Sequence, residues 1–178
     1  MPKIQIRSAV ATDINTLIAF DHSSQTEYVW QMDVQRDETQ TLVLFREIRL
    51  PRPVVISYPR PVAALSETWS RNSGILIALR EDKIVGYGRM NDTLIQKTAL
   101  LTDVVVSMPH RRQGVATALV LAAQTWASNR NNQQMIMEMI TKNIPAIRLA
   151  QKLGLEFSGY NNTYYETKEI ALFFGRSI

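Results

Sequence analysis

The stretch from Leu100 to Ala127 constrains this chain most, because three segments of different physical character follow one another without a spacer. Leu100-Leu101-Thr102-Asp103-Val104-Val105-Val106 is dense in apolar and β-branched residues, the composition of a buried strand. Pro109 closes it, since proline has no N–H for a ladder and biases the residue before it away from helix. Further on, Val115, Leu119, Ala122 and Trp126 fall on one stripe with Ala116, Val120 and Ala123 beside it, which predicts a helix over 114–129. Between strand and helix lies a short basic turn, His110-Arg111-Arg112-Gln113-Gly114. Such a turn presents the unpaired amides of a first helical turn, and the positive end of the helix dipole, to an anion.

Gly114 has no Cβ, so an oxygen can approach the backbone closely and unusual φ values cost little. Ala116 is the next small residue facing the same place, and Thr117 adds a hydroxyl. Arg111 and Arg112 supply charge that does not titrate near neutral pH. The same residues would equally make a basic loop that caps an ordinary βα unit.

Arg111-x-x-Gly114-x-Ala116, after a strand ending at Val106, resembles the acetyl-CoA signature of the GCN5-related N-acetyltransferases, Gln/Arg-x-x-Gly-x-Gly/Ala at a strand-to-helix turn. Asn143-x-x-Ala146, followed by Leu153-Gly154-Leu155-Glu156-Phe157, is similar to that family's next helix and strand. The resemblance covers roughly residues 74–178. It implies an α/β sandwich, with a mixed, mostly antiparallel central sheet flanked by helices and acetyl-CoA as co-substrate. The main chain of Val104, Val105 and Val106 would pair with the pantetheine arm. Arg111, Arg112, Gln113, Gly114, Val115, Ala116, Thr117 and Asn143 would hold the rest of the coenzyme. The implied activity is direct transfer of an acetyl group to a primary amine of a small molecule, antibiotic-like or a polyamine. The alternative is a non-catalytic acyl-CoA-binding module of sensory or regulatory use.

Amine acetylation asks for a base at the acceptor, donors for the thioester carbonyl and an acid for the leaving thiolate. Asp103 precedes the three valines and resembles the acidic position of streptothricin-type acetyltransferases, where a Glu-Asp pair comes first; here Thr102 takes the place of the Glu. Asp103 is thus a candidate base, acting directly or through water, and equally a strand-end carboxylate that binds a cationic acceptor or pairs with an arginine. For the acid, the family carries a tyrosine where this chain has Ala150. Tyr160 and Tyr164 are the candidate replacements, with Tyr165 beside them, and unassisted departure of the thiolate is the other option.

Composition bounds the rest. At 178 residues, with 46% apolar and 20% charged content, the chain suits one globular domain over 1–178. With no cysteine, a thiol nucleophile and a thiolate metal site are both excluded, and a reducing cytoplasm suits such a chain. Two isolated histidines, His22 and His110, make no metal site. The first seven residues lack a leader's apolar core, and no run is long enough to span a membrane. The net charge of +4 suits an anionic ligand, yet outside Arg111-Arg112 the basic residues are scattered, which argues against nucleic acid.

In order, the pattern predicts a strand over 3–7, a helix from Thr12 ending near 22–24, and a hairpin of 27–35 with 41–50. Pro51, Pro53, Pro59 and Pro61 should break the next stretch into extended pieces, before a short helix over 65–71. Strands over 75–80, 83–90 and 97–106 form an antiparallel set ahead of the central helix. A strand over 135–140, a helix over 144–153 capped by Asn143 and stopped at Gly154, and strands over 157–160 and 169–174 complete the chain. The apolar last strand and the sheet edges leave room for a homodimer. Tyr28, Trp30, Met32, Tyr58 and Trp69 either line an acceptor pocket or pack a satellite core.

Overall fold

The computed structural model describes residues 3–68, 73–93 and 97–178. Its elements run β1 (Gln5–Ser8), α1 (Ile14–Ile18), β2 (Ser24–Arg36), β3 (Thr41–Ile56), α2 (Ala64–Thr68), β4 (Ser73–Arg80) and β5 (Lys83–Asp92). There follow β6 (Thr98–Val106), α3 (Val115–Asn129), β7 (Gln134–Ile140), α4 (Ile144–Lys152), β8 (Glu156–Asn161) and β9 (Ala171–Ser177). Seven strands form one sheet in the order β1-β4-β5-β6-β7-β9-β8, and β2 with β3 forms a separate hairpin. Every neighbouring pair is antiparallel except β6 and β7, which α3 joins by the crossover that parallel neighbours need.

Helices cover both faces of the sheet, as an α/β sandwich requires. On one face Leu119, Val120 and Ala123 of α3, with Ile147 and Ala150 of α4, pack against Met90, Leu101, Met135 and Met137. On the other, Ile14 and Leu17 of α1 and Leu65 of α2 pack against Ile77, Tyr87 and Val105. Each fully buried aliphatic side chain here contributes about 1.5–3 kcal/mol relative to exposure.

Two strand details aim the site. Along β7, Met135, Met137 and Met139 belong to the α3–α4 core, so strand alternation sends Glu138 and Ile140 to the opposite face. Along β6 the partners on β5 pass from Leu101↔Met90 to Asp103↔Arg89, leaving Thr102 as an extra, bulged residue. A bulge flips the side-chain parity beyond it. Leu101 therefore faces the α3–α4 core while Asp103 pairs opposite Arg89 and Val105 packs with Tyr87 on the α1–α2 face.

Three expectations about the elements change. Pro51 and Pro53 do not end β3, because the register jumps from Tyr28↔Arg49 to Thr26↔Val54 and the prolines fall inside that irregularity, where no ladder N–H is asked of them. The helix expected from Thr12 is only α1, preceded by a 3-10 turn over Ala11–Asp13. The Asp13 carboxylate is drawn instead to Arg7 (2.7 Å) and to the Val10 amide (2.8 Å). The last strand begins at Ala171 and runs on to Ser177, paired along β7 as far as Gln134. The end of the helix expected over 65–71 lies outside the described residues.

Candidate functional site

β6 and β7 pair only from Thr98↔Gln134 to Leu101↔Met137. Beyond that, Thr102–Val106 has β5 as its only strand partner among the described residues, with Gly88↔Val104 and Gly86↔Val106 in register, and the Val106 carbonyl accepts from Arg111 Nε. The other main-chain groups of this segment that point toward β7 are free of a strand partner there. The gap between the two strands is the natural berth for an extended arm of peptide-like chemistry. Val104 and Val106 turn their side chains to the α3–α4 core and Val105 to the other, so only the backbone of these three borders the gap.

The basic turn stands at the open end of β6. Arg112 (φ 62°) and Gly114 (φ 85°) are left-handed on either side of Gln113, a sequence of conformations that gathers successive amides into one concavity. The first helical bond runs from the Ala118 amide to the Gly114 carbonyl at 3.0 Å, so the amides of Val115, Ala116 and Thr117 precede the ladder. A Cβ placed on Gly114 would meet nothing within 4 Å, so the space above the turn is open to a ligand's oxygens. These features fit a diphosphate, and they fit it through main chain.

The side chains of the turn divide their duties. Arg111 donates from Nε to the Val106 carbonyl (3.0 Å) and from Nη2 to the carbonyls of Ser23 (2.9 Å) and Asp21 (3.2 Å). Its guanidinium stitches the segment just before β2 to the end of β6. Arg112 is exposed on the turn. Gln113 accepts from Arg80 and donates to the Pro109 carbonyl (2.9 Å), while His110 shares a hydrogen bond with Ser107 (2.9 Å). Asn143 stands at the far shoulder of the gap and caps α4, its Oδ1 accepting from the Ala146 amide at 3.3 Å.

Where β6 and β7 part, Asp103 and Glu138 lie on the same sheet face, their side chains 1% and 0% exposed. Buried carboxylates persist only when compensated, and here both are. Asp103 accepts from the Tyr58 hydroxyl and from Thr102 Oγ1 (2.8 Å), with Arg60 Nη1 at 3.8 Å. Glu138 accepts from Arg60 Nη2, from the Tyr165 hydroxyl (2.9 Å) and from the Tyr164 hydroxyl (2.7 Å). The Arg60 guanidinium also lies over the Tyr165 ring at 5.0 Å. Behind Asp103, His22 donates from Nδ1 to the Phe20 carbonyl (2.7 Å), since a carbonyl can only accept; its Nε2 then accepts from the Tyr87 hydroxyl at 3.0 Å.

Burial, seconded by the Asp103 charge, pushes the hydroxyls of Tyr58 and Tyr87 well above the usual phenol range; burial does the same to Tyr165. All three stay protonated donors at neutral pH. Burial works against the Arg60 charge, but the surrounding groups, Asp103 first, outweigh it and hold the guanidinium more firmly protonated. Burial also lowers His22, keeping the ring neutral. A cavity of about 270 Å³ opens on the outer side of Arg60, lined by Pro59, Arg60, Pro61, Tyr164, Tyr165 and Glu166.

Of the expected catalytic residues, the structure brings Asp103 and Tyr164 into this one cluster and leaves Tyr160 out. Tyr160 pairs with Leu172 on β8 and its ring packs on Phe45 at 5.4 Å, on the α3–α4 side. Strands β7 and β9 stand between β8 and β6, so three strand spacings, roughly 14 Å, separate it from Asp103. Ala150 is fully buried in the α3–α4 core. Among the aromatics of the insert, Trp30 packs on Phe45, Phe157 and Phe174, and Tyr28 lies under Arg148. Only Tyr58 reaches the carboxylates, and Trp69 lies outside the described residues. Glu138 and Arg60 escaped the sequence reading. A lone glutamate within Met135-Ile136-Met137-Glu138-Met139-Ile140 was the available signal, because an unpaired charge does not survive in a buried strand.

Comparison with known proteins agrees with this geometry. The model of the acetyltransferase (GNAT) family matches residues 42–155. Streptothricin acetyltransferase of Streptomyces lavendulae is 23% identical over 167 residues, 91% of this chain and 86% of that one. Streptothricin acetyltransferase of Escherichia coli is 33% identical over 91 residues, 51% of this chain and 52% of that one. The crystal structure of nourseothricin acetyltransferase superposes with a TM-score of 0.81 at 22% identity, covering 98% of both chains. A Bacillus anthracis protein assigned as a streptothricin acetyltransferase and solved with acetyl coenzyme A gives 0.77 at 20% identity, covering 99% of this chain and 100% of that one. At such identities the two superpositions speak for the fold, and the family model speaks for descent. With the strand gap and the glycine turn both inside the matched residues, the chain belongs to the acetyltransferase (GNAT) family and is an acetyl-CoA-dependent N-acetyltransferase.

Proposed function

We propose that the protein acetylates a primary amine of a small cationic molecule by direct transfer, with streptothricin the first acceptor to test. The observation that carries this reading is the buried carboxylate Asp103 on the face of the sheet opposite α3, at the point where the strands open. Such a group can receive an ammonium and then its proton. The streptothricin acetyltransferases among the relatives support the acceptor class.

In this reading the turn 111–117 holds the diphosphate of acetyl-CoA by its amides, and the backbone of Val104, Val105 and Val106 lies along the pantetheine arm. A main-chain N–H of this segment polarises the thioester carbonyl. Asp103 takes a proton from the acceptor ammonium, the amine nitrogen forms a bond to the carbonyl carbon, and the carbon–sulfur bond breaks. The thiolate takes up a proton, so one proton reaches solvent overall. Tyr164 is the phenol kept for that last step, because burial makes Tyr165 a reluctant acid and Tyr160 lies across the sheet.

The test is release of thiol on mixing protein, acetyl-CoA and streptothricin, followed by a panel of simple amines. Turnover with any small primary amine supports the reading. A rise in melting temperature with CoA but no thiol release across the panel would support the binding-only module instead, which the relatives do not favour.

A further inference from the structure

We propose that His22 is the terminus of a proton relay from the acceptor site: the proton that Asp103 takes from the amine passes along the hydroxyls of Tyr58 and Tyr87 to His22 Nε2, and from there to solvent. The proposal deepens the reading of Asp103 as the base and rests on it. Acetyl transfer leaves one proton to be delivered to water, yet the Asp103 side chain is 1% exposed and has almost no surface from which to deliver it. Its neighbours decide the way out. Arg60, with Nη1 at 3.8 Å, and Arg89, opposite Asp103 across the β5–β6 ladder, are guanidiniums that stay protonated and take up nothing more. Thr102 Oγ1 (2.8 Å) leads on to the Arg89 carbonyl (3.3 Å), where a proton cannot rest. Tyr58 leads to the hydroxyl of Tyr87, with which it is in hydrogen-bonding contact, and Tyr87 leads to His22 Nε2 at 3.0 Å. Among the described residues this is the branch that ends on a group able to hold the proton.

The row is one proton short at rest. His22 Nδ1 donates to the Phe20 carbonyl (2.7 Å), which leaves Nε2 bare in the neutral ring. With Asp103 ionised, the Tyr58 proton points to Asp103 and the Tyr87 proton to His22, so none lies between the two phenol oxygens. A proton arriving on Asp103 completes the row. Each hydroxyl then accepts one proton and passes its own onward. Bonds to hydrogen break at Asp103, Tyr58 and Tyr87 and form at Tyr58, Tyr87 and His22 Nε2, and Asp103 returns to its carboxylate. No phenolate forms, which suits two phenols whose burial penalises the charged form. The half-buried imidazolium then sheds the proton to solvent, as its lowered pKa favours at neutral pH. Around the ring, Asp21 beside it and Asp103 on β6 favour the imidazolium, and the rings of Tyr58 and Tyr87 pack at 5.0 and 5.9 Å. The nearby cations are Arg60 after β3, Arg89 on β5 and Arg111 from the turn before α3. Arg111 Nη2 holds the carbonyls of Asp21 (3.2 Å) and Ser23 (2.9 Å), so the glycine turn also fixes the segment that carries His22.

The test is the pH dependence of acetylation at saturating acetyl-CoA, with streptothricin or the amine of the panel turned over fastest, in wild type, His22→Gln and Tyr87→Phe. Wild type should lose kcat/KM for the acceptor as the pH falls through the His22 midpoint, because only the neutral ring can take the proton. Both variants should lose that acidic limb and about 100-fold in kcat at pH 8, with the KM for acetyl-CoA unchanged. The double variant should lose no more than the worse single one, since both changes break the same row. A structural histidine would leave the shape of the profile as it was. An unchanged limb in both variants, or losses that multiply in the double variant, overturn the relay. A second measurement needs no acceptor and neither of those variants: the His22 titration followed by NMR in CoA-bound wild type and Tyr58→Phe. Once Nε2 is protonated, the Tyr87 proton must turn to the Tyr58 oxygen, so removing that oxygen should move the His22 midpoint to lower pH. Loss of a hydroxyl that merely screens Asp103 would raise the midpoint, and a raised or unchanged midpoint overturns the relay. If wild type releases no thiol with any amine, the acceptor reading fails, and the NMR titration alone decides whether the row links Asp103 to His22.

Discussion

Replacing Gly114 by alanine separates backbone strain from ligand exclusion, because the structure supplies a matched control. Gly114 has φ 85° and Gly154 has φ 75°, so an L-residue at either position is forced into the left-handed region. That conformation costs about 1–2 kcal/mol in each. For a chain of this size the melting temperature should drop by roughly 2–8 °C in both variants, at about 2–4 °C for each kcal/mol. Neither new methyl group clashes: at Gly114 nothing lies within 4 Å, and at Gly154 the nearest atom is Arg176 Nη1 at 3.7 Å. The difference lies in the ligand. A methyl group on Gly114 stands in the concavity of amides before α3, where it would push an anion's oxygen off at least one N–H donor. A hydrogen bond to a charged group is worth about 1.5–3 kcal/mol, so CoA affinity should fall by roughly tenfold or more. Gly154→Ala should lose none of it. The assay is calorimetric titration of CoA into both variants and wild type, alongside thermal melts. Equal CoA affinity in the two variants, at equal loss of melting temperature, would refute the placement of the diphosphate on this turn. Gly114→Glu adds bulk and a negative charge at the same spot and should abolish binding.

The other expectations are simpler to read. Asp103→Asn should bind CoA as wild type does and lose about 100-fold or more in turnover, the usual scale for a positioned base; full turnover across pH would take Asp103 out of the mechanism. Tyr160→Phe should leave turnover unchanged, since its hydroxyl is across the sheet from the carboxylates. Tyr165→Phe takes one donor from buried Glu138 and should cost about 1–3 kcal/mol of stability in a denaturant melt. His22 is held neutral by burial, its folded pKa lying below the ordinary 6.5, so the unfolded chain binds its proton first as the pH drops. Stability from this residue is therefore complete above about pH 6.5 and declines as acidification approaches the folded value. Melts of wild type and His22→Gln should diverge least at pH 5 and most at pH 8, and a gap independent of pH would count against this account.

What could be read from the chain is what is contiguous in it. The strand, the basic turn, Gly114 and the α3 stripe occupy one run of residues, so periodicity and turn chemistry sufficed to place β6, the turn and α3 within a residue or two. The Asn143 cap and the Gly154 stop of α4 were legible for the same reason, because helix ends are satisfied by their own neighbours. Prolines misled, since whether Pro51 and Pro53 break a strand depends on which side of the ladder faces a partner, and only the pairing with β2 settles that.

The proposed acceptor site belongs to tertiary structure. The bulge at Thr102 decides which face Asp103 takes, and that bulge exists only against the register of β5. Glu138 arrives through a crossover helix, Arg60 and Tyr58 from the segment after β3, and Tyr164 and Tyr165 from beyond β8. Local sequence specifies the turn proposed as the anion cradle because its donors are backbone amides of one turn. It cannot specify a charge balance between residues brought together from four separate elements, because compensation of a buried charge is a property of the packed whole.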